Sequence, residues 1–235
     1  MLAVAWAAPT IQIRSDGLVY ARGNQQNRDS DHVLTLNGQR FKVRKNDDQG
    51  VHAVVYKVVE GQWKGAYAKA LVDSSEITAT HAVGALYTSG TDAYGQHWAI
   101  IKPSKGIRLD RTKAFKQVQH NQQQCFALLN HAIELATSKI AAEYSRTHWL
   151  HEDPVLTNVL FDDRVTQAFL IDWGCASQPP AVPLDIKARV TNAFWGSNIC
   201  GPPLAAVHRP VTQLFVAYHC PVPAYFVQHP LPLWH

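Results

Sequence analysis

The chain has 235 residues, 46% of them hydrophobic and 17% charged, with a formal net charge of +4. That is enough for one large domain or two lobes around a buried core, and too apolar for a disordered protein. The charge is mild and no dense Lys/Arg run occurs, so nucleic acid and membrane surfaces are not expected partners. No apolar run is long enough to span a bilayer, and the opening MLAVAWAAPT lacks the basic start of a signal peptide. Cys125, Cys175, Cys200 and Cys220 are widely spaced with no C-x-x-C pair. They are expected to be reduced thiols, which predicts a cytoplasmic or nuclear protein. Cys200, His219 and Cys220 fit no common zinc spacing, so packing is the expected role.

The first half predicts strands. VLTLNGQRFKVRK places Asn37-Gly38 between two alternating runs, a hairpin signal. GVHAVVYKVVEGQWKGAYAKAL adds two β-rich runs around a turn from Gly61 to Gly65, and Gln96 to Lys102 is a further short apolar strand before Pro103. From Ala114 to about Arg146 the period changes. Phe126, Leu129, Ile133 and Ala136 share a helical face that Ile140 and Tyr144 continue, predicting one long helix or two shorter ones with a core-facing stripe.

Residues 151 to 163 then read HEDPVLTNVLFDD. Turn chemistry alone explains much of this, since Asp-Pro starts turns and Asp-Asp-Arg makes a polar tip. Val159 to Phe161 and Val165 to Ile171 flank Asp162-Asp163-Arg164 and predict a second hairpin. Its open end should bring Asn158 beside Asp172, with Asp153 close by. After residue 175 come ten of the thirteen prolines and a single acid, Asp185. Helical periodicity there is poor, and proline at this density breaks helices and central strands. Irregular packing, a flexible tail and an aberrant end all remain open for it.

An Asn and two Asp at one hairpin mouth supply oxygen ligands for a hard cation and a spare carboxylate. Magnesium takes such ligands together with substrate phosphates. Phosphoryl transfer needs both that metal and a carboxylate that orients the attacking hydroxyl.

His151-Glu152-Asp153 followed by Asn158-Val159-Leu160-Phe161 resembles the H-x-D-x-x-x-x-N catalytic loop of the protein-kinase-like superfamily. Leu170-Ile171-Asp172-Trp173-Gly174 resembles its D-F-G segment, with Trp for Phe. Phe41 to Val58 is similar to the family's β-turn-β over the ATP phosphates. Gly50 falls on the second glycine, Ala53 on the third, and Val55 opens the next strand. Ala68-Lys69 looks like a shortened A-x-K strand, and Glu76, in a short helix that Ser74 or Ser75 could cap, is the candidate partner for Lys69. Trp98 to Gly106 is similar to the hinge between lobes, where adenine would meet backbone.

The resemblance implies an α+β, two-lobed fold, with an antiparallel β lobe and a mainly helical, shortened second lobe. Residues 1–40 would be an N-terminal strand extension and 41–174 the kinase-like core, split into 41–103 and 104–174. Residues 175–235 would be an atypical Pro-rich segment. It implies ATP and Mg2+ as cofactors, Asp153 as base, Asn158 and Asp172 as metal ligands, and Lys69 on the phosphates, steadied by Glu76. Gly50, Ala53 and Val55 would cover the nucleotide.

The chain departs from the family pattern at several points. Asp48 stands where the first phosphate-loop glycine would be, with Asp47 beside it, and like charge there opposes triphosphate binding. Val155 replaces the Lys usual in serine/threonine kinases, leaving room for small-molecule kinases of the aminoglycoside or choline type. No A-P-E-like end follows Asp172, and the helix acid that normally anchors the catalytic loop is missing, since Asp185 lies too close to Asp172. A truncated or degenerate kinase, or one that needs a partner to complete its second lobe, would read this way. The expected activity is phosphate transfer from Mg-ATP to a hydroxyl, with protein Ser/Thr favoured over a small alcohol. The alternative is a pseudokinase that binds or scaffolds.

Overall fold

A computed structural model describes residues 12–13, 19–20, 31–46, 54–181 and 183–201. Gly50 and Ala53, with Asp47 and Asp48, lie outside the described residues. Short strands β1 (Gln12–Ile13) and β2 (Val19–Tyr20) pair antiparallel. The main sheet is formed by β3 (His32–Leu36), β4 (Gln39–Lys45), β5 (Val55–Glu60), β6 (Tyr67–Ala70), β7 (Leu86–Thr91) and β8 (His97–Ile101), in the order β3-β4-β5-β6-β8-β7, all antiparallel. Asn37 (φ 50°) and Gly38 (φ 75°) make the tight turn that their sequence predicts. The Asn37 amide donates to Ser89 O (2.9 Å) and Thr88 Oγ1 (3.3 Å), so the hairpin tip reaches the opposite edge and the sheet curls. Leu34, Leu36, Phe41, Val43, Val58, Ala68, Trp98 and Ile100 fill the curl. Gly61 is required at the β5–β6 turn, because φ is 107° and a Cβ there would lie 3.1 Å from Phe41 Cβ.

Helix α1 (Ser74–Ala82) lies between β6 and β7. Its cap is Asp73, not Ser74 or Ser75: the Asp73 carboxylate accepts from Glu76 N at 2.7 Å and from the Ser75 hydroxyl at 2.7 Å. The carboxylate accepts the orphan amide that a hydroxyl was expected to take.

The second part is mainly helical. It holds α2 (Lys113–Val118), α3 (Gln122–Thr147) and α4 (Ile186–Gly196), with short strands β9 (Ile107–Arg108), β10 (Leu150–His151), β11 (Val159–Phe161), β12 (Ala168–Leu170) and β13 (Ala176–Ser177). The helical stretch thus divides into one short and one long helix, each capped by a side chain, Thr112 and Asn121. Leu129, Ile133, Ala136, Ile140 and Tyr144 are buried as the stripe requires, whereas Phe126 is half-buried against Trp195.

The second hairpin pairs Val159 with Leu170 and Phe161 with Ala168. Its second strand starts three residues later than the apolar run suggests. Asp162 accepts from the amides of Thr166 and Gln167, both at 2.6 Å, and Val165, just before Thr166, stands at φ 55°, so these residues form a wide tip.

Two further expectations are corrected. The stretch after residue 175 contains α4, because Ile186, Val190 and Phe194 recur every four residues and all three are buried against the α3 core. Cys125 and Cys200 are not the reduced thiols expected but form a disulfide (S–S 1.98 Å) that joins the start of α3 to the chain just past α4. Among the described residues no cysteine is free, which removes the ground on which a cytoplasmic or nuclear location was expected. No helix among the described residues is long and apolar enough to cross a membrane. The fold is the α+β, two-lobed arrangement expected, with Ala79 of α1 packed on Trp149 and Trp173 where the two parts meet.

Candidate active site

Strand β6 turns Lys69 inward, in register with the half-buried Val55 of β5. The Asp73 cap fixes the first turn of α1 and so the position of Glu76. Lys69 Nζ donates to Glu76 Oε1 at 2.5 Å and to Asp172 Oδ1 at 2.7 Å. The side chains of Lys69 and Glu76 are buried (9% and 7% exposed), while Asp172 is 41% exposed and opens to solvent. The seven-residue separation of Lys69 and Glu76 thus permits the expected pair. Burial alone would lower the Lys69 pKa, but the charges of Glu76 and Asp172 outweigh it and hold the ammonium above its ordinary value. Burial pushes the Glu76 carboxyl up, more than Lys69 pulls it down. Burial also acts upward on Asp172, but there Lys69 wins and the pKa is lowered.

Asp172 follows β12 in a left-handed conformation (φ 59°, ψ 79°), which swings its carboxylate back toward Lys69. Gly174 makes room, since a Cβ there would lie 3.3 Å from both Asp172 Oδ1 and Glu76 Oε2. His151 Nε2 donates to Ile171 O at 2.9 Å, and its ring meets Trp173 edge-on with centroids 4.9 Å apart. That contact ties the catalytic-loop candidate to the segment carrying Asp172. Burial holds the His151 ring below its usual pKa, against the carbonyl bond and the nearby Asp153 and Asp172 charges.

The hairpin mouth forms as its register dictates. Ile171 N donates to Asn158 O at 3.0 Å, so the Asn158 and Asp172 backbones are neighbours. The Asn158 amide nitrogen donates to Asp153 O (3.1 Å) and Asp153 Oδ2 (2.9 Å). This leaves the Asn158 carbonyl oxygen and the outer Asp172 oxygen as hard donors for a cation, with Asp153 alongside. Among the described residues no three His, Cys, Asp or Glu side chains gather as a complete metal cage. A two-ligand oxygen set suits Mg2+, which keeps waters and shares phosphate oxygens.

The described site thus gathers Lys69, Glu76, Asp153, Asn158 and Asp172, with Val55 on the overlying sheet. Sequence reasoning missed the Asp73 cap and the side chains around Glu152. Glu152 Oε2 pairs with Arg189 Nη1 at 2.5 Å, Glu152 Oε1 accepts from the Ser177 hydroxyl at 2.5 Å, and Arg189 Nε pairs with Asp185 at 2.9 Å. The i, i+4 spacing of Asp185 and Arg189 was the available signal for the last of these.

No family model matches the chain, and no curated protein matches it. Among solved structures it is similar to the PknI kinase domain of Mycobacterium tuberculosis, solved as a point mutant. That match has 18% identity and a TM-score of 0.41, over 75% of this chain and 80% of that one. It is also similar to the BubR1 kinase domain, at 15% identity and a TM-score of 0.43, over 69% of this chain and 55% of that one.

Proposed function

We propose that the chain is an ATP-dependent phosphotransferase that moves the γ-phosphate of Mg-ATP to a hydroxyl, with protein Ser/Thr as the favoured acceptor. The observation that carries this reading is the bridge of Lys69 to both Glu76 and Asp172, set beside the Asp153–Asn158 pair. A buried cation held by two acids is a rigid point charge for nucleotide phosphates. Bound Mg2+ would be held by Asp172 and Asn158 and would supply charge neutralisation for the β- and γ-phosphates.

The remaining work belongs to the chain's own residues. Asp153 orients the acceptor hydroxyl and takes its proton as the new oxygen–phosphorus bond forms. The bond from the γ-phosphorus to the β–γ bridging oxygen breaks, and ADP leaves with that electron pair. Asn158 holds Asp153 in place through two hydrogen bonds from one amide. Val55, in register with Lys69 on the same sheet face, would lie over the bound nucleotide.

A second reading, a nucleotide-poor binding module, is favoured by Asp47 and Asp48 in the phosphate-loop sequence. Val155 keeps a small alcohol acceptor as an alternative to protein. Thermal shift with and without Mg-ATP, on wild type and Asp172→Asn, separates these readings. Stabilisation of wild type that Asp172→Asn loses supports the phosphotransferase. No shift at millimolar nucleotide removes it in favour of the binding module. Phosphate transfer to protein substrates that Asp153→Ala abolishes then distinguishes catalysis from binding.

A further inference from the structure

We infer that Arg189 of α4, acting through Glu152, is a positioning residue for Asp153. This rests on the phosphotransferase reading above and deepens it. The family pattern expects an acid on a helix to anchor the catalytic loop, and the sequence offers none at a suitable distance. The structure supplies an anchor with the charges reversed: the acid, Glu152, is in the loop and the cation, Arg189, is on the helix.

Each residue around Asp153 is tied in a different direction. His151 is held by the Ile171 carbonyl on the Asp172 side. Glu152 is drawn the other way, to Arg189 and to the Ser177 hydroxyl. Pro154 restricts the backbone of Asp153 to extended angles. Asn158 fixes the Asp153 carbonyl and carboxylate. Of these ties, the one from Glu152 reaches outside the loop and the Asp172 hairpin to a helix.

Glu152 and Arg189 are 29% and 22% exposed, so the pair is sheltered rather than freely solvated. Asp185 holds the guanidinium from its other side at 2.9 Å, which fixes the direction of the fork. Helix α4 is in turn seated by the buried Ile186, Val190 and Phe194. A rigid helix face therefore sets the height of the loop, and β13, paired with β10, brings Ser177 to the same carboxylate. Misplacing a reacting group by an ångström is enough to cost about a hundredfold in rate.

The test uses wild type, Arg189→Glu, Arg189→Lys, Glu152→Arg and the double variant Glu152→Arg with Arg189→Glu. Three quantities are read: steady-state phosphate transfer, the Mg-ATP thermal shift, and hydrogen–deuterium exchange across 150–158. Each single charge reversal should lower kcat by about tenfold to a hundredfold. The KM for ATP and the nucleotide shift should change much less than kcat, because Lys69 and Asp172 are untouched and Asn158 is also held by the Ile171 amide. Arg189→Lys should fall between, keeping charge but losing the fork. The double variant should recover most of kcat, and loop exchange should rise in the single variants and fall back in the double. A kcat unchanged in Arg189→Glu, or a double variant no better than either single one, overturns the inference. Should wild type transfer no phosphate, it is the phosphotransferase reading that fails. The exchange measurement then decides the anchor alone, and no rise in Arg189→Glu overturns it.

Discussion

Lys69 holds two carboxylates of unequal exposure, and the consequences of losing it are unequal too. Asp172 can turn to water, but Glu76 cannot. Lys69→Met leaves Glu76 buried without its partner and should cost about 3–5 kcal/mol, read as a drop in the urea midpoint. Glu76→Gln keeps a hydrogen-bond acceptor for the ammonium and should cost less. His151 sets a pH dependence whose sign follows from its burial. Among the described residues its Nδ1 has no hydrogen-bond partner, so protonation would place a charge where none of them accepts it. The unfolded chain takes up a proton near pH 6.5 and the folded chain only at lower pH. Between those values the unfolded state binds more protons, so stability falls on acidification, with a slope approaching about 1.4 kcal/mol per pH unit. Urea midpoints at about pH 7 and about pH 5.5, either side of the ordinary histidine value, should differ more for wild type than for His151→Gln. Equal differences would show that the folded ring takes up its proton as readily as the unfolded one, so that burial does not hold its pKa down.

At the scale of elements, what could be read from sequence was what local chemistry encodes. Asn37-Gly38 gave the first hairpin, and the apolar strands around Asp162 gave the second, whose register then brought Asn158 to Asp172. The start of β12 was misplaced because Asp162 takes backbone amides that an apolar run alone cannot reveal. Helix α4 was hidden by the proline count of its surroundings, although its own span holds no proline. The Cys125–Cys200 bridge was unreadable because the cysteines lie 75 residues apart and their spacing matches no framework. Its loop is long, so closing it removes much freedom from the unfolded chain. Reduction should lower stability by about 4 kcal/mol on a chain-entropy estimate. Guanidinium midpoints with and without reductant measure this, and Cys125→Ser should match the reduced wild type. An unchanged midpoint would mean that α4 is held by packing alone, principally by Phe194, which is fully buried.

For the molecule as a whole, the sequence carried the order of parts better than their joints. The order of β4, β5, Lys69, the loop from His151 to Asn158 and the Asp172 segment could be read along the chain. The joints could not, because they are made by residues distant in sequence: Lys69 to Asp172 across 103 positions, Glu152 to Arg189 across 37. Trp149 and Trp173 share this property, packing on Ala79 from another part of the chain. The Asn37 latch is a joint of the same kind, spanning 52 positions to the Ser89 carbonyl, and Gly90 leaves it room, since a Cβ there would lie 2.9 Å from Asn37 Oδ1. Among the described residues β3 and β7 are the two borders of the main sheet. A border strand offers unpaired amides and carbonyls to any passing chain. By drawing the borders together, one amide side chain gives each a neighbour from the same molecule. Asn37→Ala should therefore raise concentration-dependent light scattering more than it lowers the unfolding midpoint, and Gly90→Val should do the same by a different route. One amide side chain thus joins the two borders of the sheet, and the light-scattering comparison tests whether that junction limits self-association.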